Sequence, residues 1–426
     1  MNSKFLKIIF LVLPVLLFFS FSILIYLEYA SYKNINKNIT FTAFIKSNIY
    51  KVLTFDINSK RIKKVNINKK FYNEDDFTDN GFLLVSGYNI DYKTSVVTLF
   101  SLKDNKTLHS WIPPIDEIHI NSPNYTKEYN LKKNYRMQHP LLMDNGDLVF
   151  TSGEGPLVKI DKCSNFKWSV NRHFHHSIEL YNENSIIAPI VLDNSLNKSY
   201  PILNHGFAIV NLENGSLIKE FSIFKILEDN NKIGLLYGVG EFEYDRIHLN
   251  DAEVINVNDE FVNKGDVMLS SKHLSTVLLY RPYNNNIVWL KTGPWLNQHD
   301  VDYLGDGKFS IFGNDTFRYN KMENHDVFID KNNKIYIYDL KDESIKTLYD
   351  NTMAEVKTPT QGLHEILKNG DVFIEDTDNF RLLRLSKQNK RWEYFNFLGD
   401  NKIGSIHWSR YLEEDYNLNW INNFDF

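Results

Sequence analysis

HLNDAEVINVNDEFVNKGDVMLSSKHLSTVLLYRPYNNNIVWLKTGPWLNQHD, residues 248–300, alternates short apolar runs with turns. VMLSS, TVLLY and IVWL are too short for helices, carry no 3.6-residue period and are bounded by Gly, Asn and Asp. Each reads as a β-strand. Working outward, the same order recurs along the chain: a turn with Gly or Asn-Gly, an apolar strand, a polar bend, a second apolar strand, a second turn and often a Trp. It is seen at residues 80–111, 145–168, 206–221, 265–290, 307–349 and 369–395. The spacing is about sixty residues, wider than the common propeller repeats. Repeated antiparallel units of this kind suit an all-β fold, a single β-propeller of six blades rather than seven. A pair of β-sandwiches is the alternative, but no linker or break in composition divides the chain.

The 426 residues are 43% hydrophobic and 14% aromatic, enough for a large packed core and too apolar for wholesale disorder. A net charge of −5 speaks against a nucleic-acid partner. The single cysteine, Cys163, excludes an intramolecular disulfide and a Cys-based metal site. From Ile8 to Leu27 no residue is charged, a length that suits a transmembrane helix. Lys4 and Lys7 precede the run, and no small-residue cleavage pattern follows it. Residues 1–30 are therefore expected to be an uncleaved signal anchor. Residues 31–426 are expected to be the propeller, membrane-anchored and extracytoplasmic, in the periplasm or at the cell surface.

Histidines stand shortly before the turn that opens a unit: His139, His176, His248, His299 and His364. In a propeller that position lies on the innermost strand, so the five are expected to converge at one mouth of the channel. His173 and His175 are expected to flank the ring. His109, His119, His205, His325 and His407 fall outside the pattern and are given structural roles. Asn250, Asp251, Lys272 and Asp300 are the other conspicuous polar residues nearby. A ring of imidazoles can bind a metal or carry nucleophilic catalysis. No HExxH pair, no GxSxG elbow and no Gly-rich phosphate loop is present.

HHSIE (175–179), HLNDAEV (248–254), SSKHLSTV (270–277), GPWLNQHD (293–300) and SIFGND (310–315) together resemble the bacterial arylsulfotransferase family, from about Met137 to Leu385. The resemblance implies a six-bladed propeller outside the cytoplasm. It implies transfer of a sulfuryl group from a phenolic sulfate ester to a phenolic acceptor through a sulfohistidine, with no nucleotide sulfate donor. Imidazoles and an ammonium without a phosphate cradle add the expectation of no cofactor and no metal. On the matching motifs, His299 is the sulfate-accepting residue, and His176 and His248 hold sulfuryl oxygens or move protons. Lys272 stands where the family has arginine, which keeps the charge and loses the two-point fork. His139, His364 and Asn250 are assigned to substrate binding. Two further readings stay open: a non-catalytic propeller binding sulfated or anionic ligands, motivated by Lys272, and a metal-dependent hydrolase or lyase built on the imidazoles.

Overall fold

The computed structural model describes residues 61–124, 135–192, 202–238, 244–320 and 325–421. The apolar run expected to anchor the chain lies outside these residues. Among the described residues, no helix is long and apolar enough to cross a membrane. The chain divides into two compact units, Met1–Ile57 with Arg318–His325, and Asn58–Phe317 with Asp326–Phe426. The second unit holds the strands and the imidazoles.

That unit is mostly β, with short helices such as Ile115–Asn121 and Ile223–Asp229 set between strands. Most of its described strands fall into six antiparallel groups, beside a small sheet of Ile62–Lys64, Lys402–Gly404 and Phe397–Gly399. The first is Arg410–Leu412, Phe82–Asn89, Thr94–Ser101 and Lys106–Trp111. The second is Gln138–Leu142, Leu148–Thr151, Gly155–Ile160 and Phe166–Phe174. The third is Glu179–Asn182, Ser185–Val191, His205–Asn211 and Leu217–Ser222. The fourth is Leu249–Val254, Val267–Ser271, Thr276–Arg281 and Asn286–Thr292. The fifth is Asp300–Gly305, Lys308–Gly313, Lys334–Asp339 and Ile345–Leu348. The sixth is Leu363–Ile366, Val372–Asp376, Arg381–Leu385 and Lys390–Phe395, with Phe71–Asn73 added at its edge. Pairing of Phe174 with Ile190 and of His173 with Val191 joins the second and third groups into one sheet.

Burial explains why the sequence repeat was visible. The second and third strands of each group are buried on both faces, as in Val267–Ser271 and Thr276–Arg281. They therefore read as continuous apolar runs rather than alternating ones. Two of the fourth strands are largely exposed: Leu217–Ser222 carries Lys and Glu and Ile345–Leu348 carries Lys along an open edge, which discourages edge-to-edge pairing. Two of the opening turns share one construction. In MDNGD and LKNGD the glycine amide donates to the carbonyl three residues back, Gly146 to Met143 and Gly370 to Leu367, both at 2.8 Å. Both glycines have φ near +85°, where a side chain would be strained.

Apolar cores lie between consecutive groups. Val97 and Trp111 of the first pack with Leu148 and Val158 of the second. Ile187 and Phe207 of the third pack with Leu249 and Leu269 of the fourth. Another core joins the sixth group to the first through Phe373, Trp392, Leu83 and Phe100. Beside that core Asp79 accepts from Arg384 at 2.6 Å, from Trp392 Nε1 at 2.7 Å, from the Tyr411 hydroxyl at 2.8 Å and from the Gly81 amide at 2.9 Å. Arg384 keeps a second carboxylate, Asp371 at 2.9 Å, so losing Asp79 leaves buried donors unsatisfied rather than a bare charge. Asp79→Ala should therefore cost about 1–3 kcal/mol, measured as a fall in the urea midpoint at unchanged slope.

The expected repeat captured the second to fourth strands in five of the six groups. In the third it missed Ser185–Val191, whose SIIAPIV opens on no glycine turn. The first strand of the first group comes from the far end of the chain, at Arg410–Leu412, which no local repeat could reveal.

Candidate functional site

Each group is entered through a residue held at positive φ: His139 (49°), His176 (60°), His248 (44°), Asn297 (50°), Gln361 (60°) and Trp408 (57°). For a residue with a Cβ this region is sparsely populated and costs about 1–3 kcal/mol, and such strain gathers at functional sites. The pairing register slips there, between Gln138 and Leu141 and between Leu249 and Asp251. Side chains at these entries therefore leave the ordinary in–out alternation of the strand. This corrects the expectation of five equivalent histidines. His139, His176 and His248 share the left-handed position, but His299 stands two residues beyond Asn297 and His364 three beyond Gln361.

The structure brings His176, His248 and His299 together. The ring of His176 lies 5.3 Å from that of His248 and 6.0 Å from that of His299. Trp408 closes one side, 5.5 Å from His176 and 6.4 Å from His299. His299 is 1% exposed, while His248, His273 and Asp245 are partly open, so the group is entered from their side.

Hydrogen bonds fix the tautomers in sequence. Asp245 accepts from His248 Nδ1 at 2.5 Å and from His205 Nε2 at 2.8 Å. With its Nε2 proton given to Asp245, His205 presents Nδ1 as acceptor to His175 Nε2, 3.2 Å away. His175 in turn presents Nδ1 to His176 Nδ1, 2.8 Å away. The chain ends with the lone pairs of His176 and His248 both on Nε2. His299 is set independently. Asn314 uses its Nδ2 to bond the carbonyls of Thr358 and Gln361, at 2.9 and 2.8 Å. Its Oδ1 must then accept from His299 Nδ1, at 2.6 Å, which leaves the lone pair of His299 on Nε2 as well. The Gln361 amide donates to that nitrogen at 3.2 Å.

Burial holds all three imidazoles below the ordinary pKa, and the Lys272 ammonium pushes each in the same direction. For His299, Lys272 is the largest influence after burial. For His248 the Asp245 carboxylate partly offsets these effects, and its pKa lies at about 3. Burial alone would raise Asp245, but its bonds from His205 and His248 hold it well below the carboxylate range. The resting site is thus three neutral imidazoles, an ammonium and a carboxylate. The folded pKa values lie below the unfolded value near 6.5, so the unfolded chain takes up protons first. The stability these rings contribute is complete above pH 6.5 and is lost as pH falls below it. Activity should follow the same sign. Donor cleavage in a single turnover should hold from pH 8 down through 6.5, where an exposed imidazole nucleophile would already be half protonated. An acid limb at pH 6.5 would contradict the neutral site.

Three expected members stand elsewhere. His364 makes no described contact with the imidazoles; its Nδ1 lies 2.7 Å from Asp300 Oδ2 and its Nε2 3.4 Å from Asp302 Oδ2. Among the described residues, His139 meets the site through Trp408, at 5.2 Å, and its Nδ1 accepts from the Ile178 amide at 2.7 Å. Asn250 is fully buried and donates to the Gln298 carbonyl at 2.8 Å, holding the entries of the fourth and fifth groups together. His175, expected to flank the ring, joins the site, as do residues given a structural role or none: His205, His273, Asp245, Asn314 and Trp408. Asp245 sits three residues before His248 in YDRIHLND, a spacing that carries a signal once His248 is singled out. Trp408 had none.

Comparison with curated proteins finds no match. Among solved structures, a protein of unknown function from Bacteroides caccae is 11% identical with a TM-score of 0.49, over 78% of this chain and 99% of that one. Virginiamycin B lyase from Staphylococcus aureus is 9% identical with a TM-score of 0.34, over 62% of this chain and 69% of that one. The family described as Arylsulfotransferase (ASST) matches residues 139–396, a span that holds every residue of the site except Trp408. With more than half its length so matched, the chain belongs to the arylsulfotransferase family and is an aryl sulfotransferase-type enzyme.

Proposed function

We propose that the protein moves a sulfuryl group from an aryl sulfate to a phenolic acceptor, with His299 Nε2 as the group that carries it. One observation supports this most: the deepest imidazole lies 6.0 Å from His176, beside His248 and the Lys272 ammonium, and its Nε2, the acceptor of the Gln361 amide, carries no proton. Nε2 attacks sulfur in line as the bond from sulfur to the aryl oxygen breaks. The electron pair stays on the phenolic oxygen, which takes a proton from His176 or His248. The anionic donor raises the proton affinity of both rings on binding, so that proton is drawn from solvent. Lys272 and the protonated ring offset charge on the sulfuryl oxygens. Because Asn314 is neutral and leaves Nδ1 protonated, sulfo-His299 is an imidazolium, a good leaving group for the second transfer. The acceptor phenol gives its proton to the ring that lost one and takes the sulfuryl group from nitrogen.

Mass spectrometry of intact protein after brief exposure to an aryl sulfate tests this. An added sulfuryl group on the peptide holding His299 is expected, and discharge by a phenol should remove it. Asp245→Asn should slow donor cleavage roughly tenfold to a hundredfold, the worth of a charge-assisted hydrogen bond, because it releases the tautomers of His205 and His248. An unchanged rate would remove Asp245 from the mechanism. A second reading, anion binding without turnover, has one observation in its favour: the Gln361 amide already occupies His299 Nε2. Tight aryl-sulfate binding with no covalent adduct would establish it.

The same reading takes the six strand groups as the blades of one six-bladed β-propeller, with the first blade completed by the strand Arg410–Leu412. The core between the sixth and first groups and the Asp79 cluster support that closure. It also keeps residues 1–30 as a membrane anchor and the catalytic unit outside the cytoplasm. Release of the full chain from membranes by alkaline carbonate would overturn the anchor.

A further inference from the structure

The strands that carry the imidazoles bring a second set of ionisable groups together a few residues further on. Leu249–Val254 supplies Asp251 and Glu253, Asp300–Gly305 supplies Asp300 and Asp302, and Leu363–Ile366 supplies His364 and Glu365. Glu179 approaches from the third group. Arg410 offsets part of this charge and bonds Glu179 at 3.2 Å. Several carboxylate oxygens are committed to the backbone of the next strand: Asp251 accepts from the Val301 amide at 3.1 Å, Glu253 from Tyr303 at 3.3 Å and Asp300 from His364 at 2.7 Å.

His364 is the odd member. Its side chain is 0% exposed, and its Nδ1 lies 2.7 Å from Asp300 Oδ2, where it donates its proton. That leaves a lone pair on Nε2, which has no hydrogen-bond partner and faces Asp302 Oδ2 at 3.4 Å. Two acceptors held together, one of them fully buried and the other partly exposed, repel unless something positive lies between them. A separation of 3.4 Å is also the edge expected of two ligands on one tetrahedral ion with bonds of about 2.0–2.1 Å. One donor atom from each of Asp300, Asp302 and His364 lies within 4.8 Å of the others. A carboxylate receiving Nδ1–H while Nε2 faces outward is the usual way a metal-binding imidazole is oriented.

We propose that His364 Nε2 and Asp302, with Asp300 orienting the imidazole, bind one divalent first-row cation, Mn2+ or Zn2+, against the expectation of a metal-free protein. One imidazole among carboxylates favours these ions over Ca2+, which takes oxygen ligands alone. The ion ties together the strands Asp300–Gly305 and Leu363–Ile366 and takes no part in sulfuryl transfer. The site does not depend on that reaction being assigned correctly.

The test is cation uptake by the chelator-treated protein. Calorimetric titration with MnCl2 and with ZnCl2, and visible absorption with CoCl2, should each report a single equivalent bound at micromolar strength or tighter. Asp302→Asn, at a partly exposed position that should fold, is expected to weaken binding at least about tenfold. His248→Ala should leave the affinity unchanged. Absence of uptake by the unsubstituted protein would overturn the proposal and leave the cluster neutralised by protons. Loss of uptake in His248→Ala with retention in Asp302→Asn would overturn it too, placing the ion at His205, Asp245 and His248. Displacement of Co2+ by equimolar CaCl2 would exclude His364 as a ligand.

Discussion

His299→Ala is expected to abolish both cleavage of an aryl sulfate and transfer to a phenol, by roughly 10⁴-fold or more, the scale for loss of a covalent nucleophile. No sulfuryl adduct should form on the variant. The substitution has a separate structural cost. Asn314 Oδ1, fully buried, loses the proton it accepts at 2.6 Å, and an unsatisfied buried acceptor costs about 1–3 kcal/mol. His299→Gln supplies a side-chain amide to that oxygen and should restore much of the stability while staying inactive. The pair separates chemistry from folding. Retained turnover in His299→Ala, with loss in His176→Ala or His248→Ala, would move the nucleophile to another ring of the same cluster. Asn314→Asp extends the test to the second half of the reaction. A carboxylate beside Nδ1 would stabilise sulfo-His299 as a cation, so the adduct should accumulate and its discharge by phenol should become the slow step.

How much of this was legible in the sequence depended on whether the signal was local. The second and third strands of each group were readable because two-sided burial demands unbroken apolar runs, such as VMLSS and TVLLY. His176, His248 and His299 were readable because polar residues at strand entries stand out against that texture. The network behind them was not. His205 opens a strand buried along most of its length, and nothing local separates it from a histidine packed in a core. Its role comes from His175 and Asp245, 30 and 40 residues away in the chain. Asn314 lies 15 residues from His299 and faces it because the two flanks pair as adjacent strands, with Asp300 opposite Phe312. His364 shows the opposite failure. It shared the spacing of the other histidines, but the repeat counts residues loosely, and a shift of a few positions along a strand carried it among the carboxylates.

Lys272→Ala should slow sulfuryl transfer by about a hundredfold or more, the effect of removing one charge-stabilising donor from a water-poor site. The residue follows the strand Val267–Ser271, and its amide donates to the His248 carbonyl at 3.0 Å, so the backbone holds it beside the cluster. Its ammonium has a second consequence for which a purely structural lysine would give no signal. It adds to burial, the larger cause, in holding His299, His176 and His248 unprotonated at neutral pH. Without it their folded pKa values rise, while burial still holds them below 6.5, and protonation sets in earlier as pH falls. The acid limb of donor cleavage should therefore move to higher pH in Lys272→Ala. In Lys272→Arg the charge is kept, so the limb should stay in place, and the guanidinium fork can bond two sulfuryl oxygens at once. That variant should equal or exceed the unsubstituted enzyme in rate. A Lys272→Ala enzyme within about threefold of normal, with its acid limb unmoved, would be well short of the scale for such a donor and would take the ammonium out of both roles.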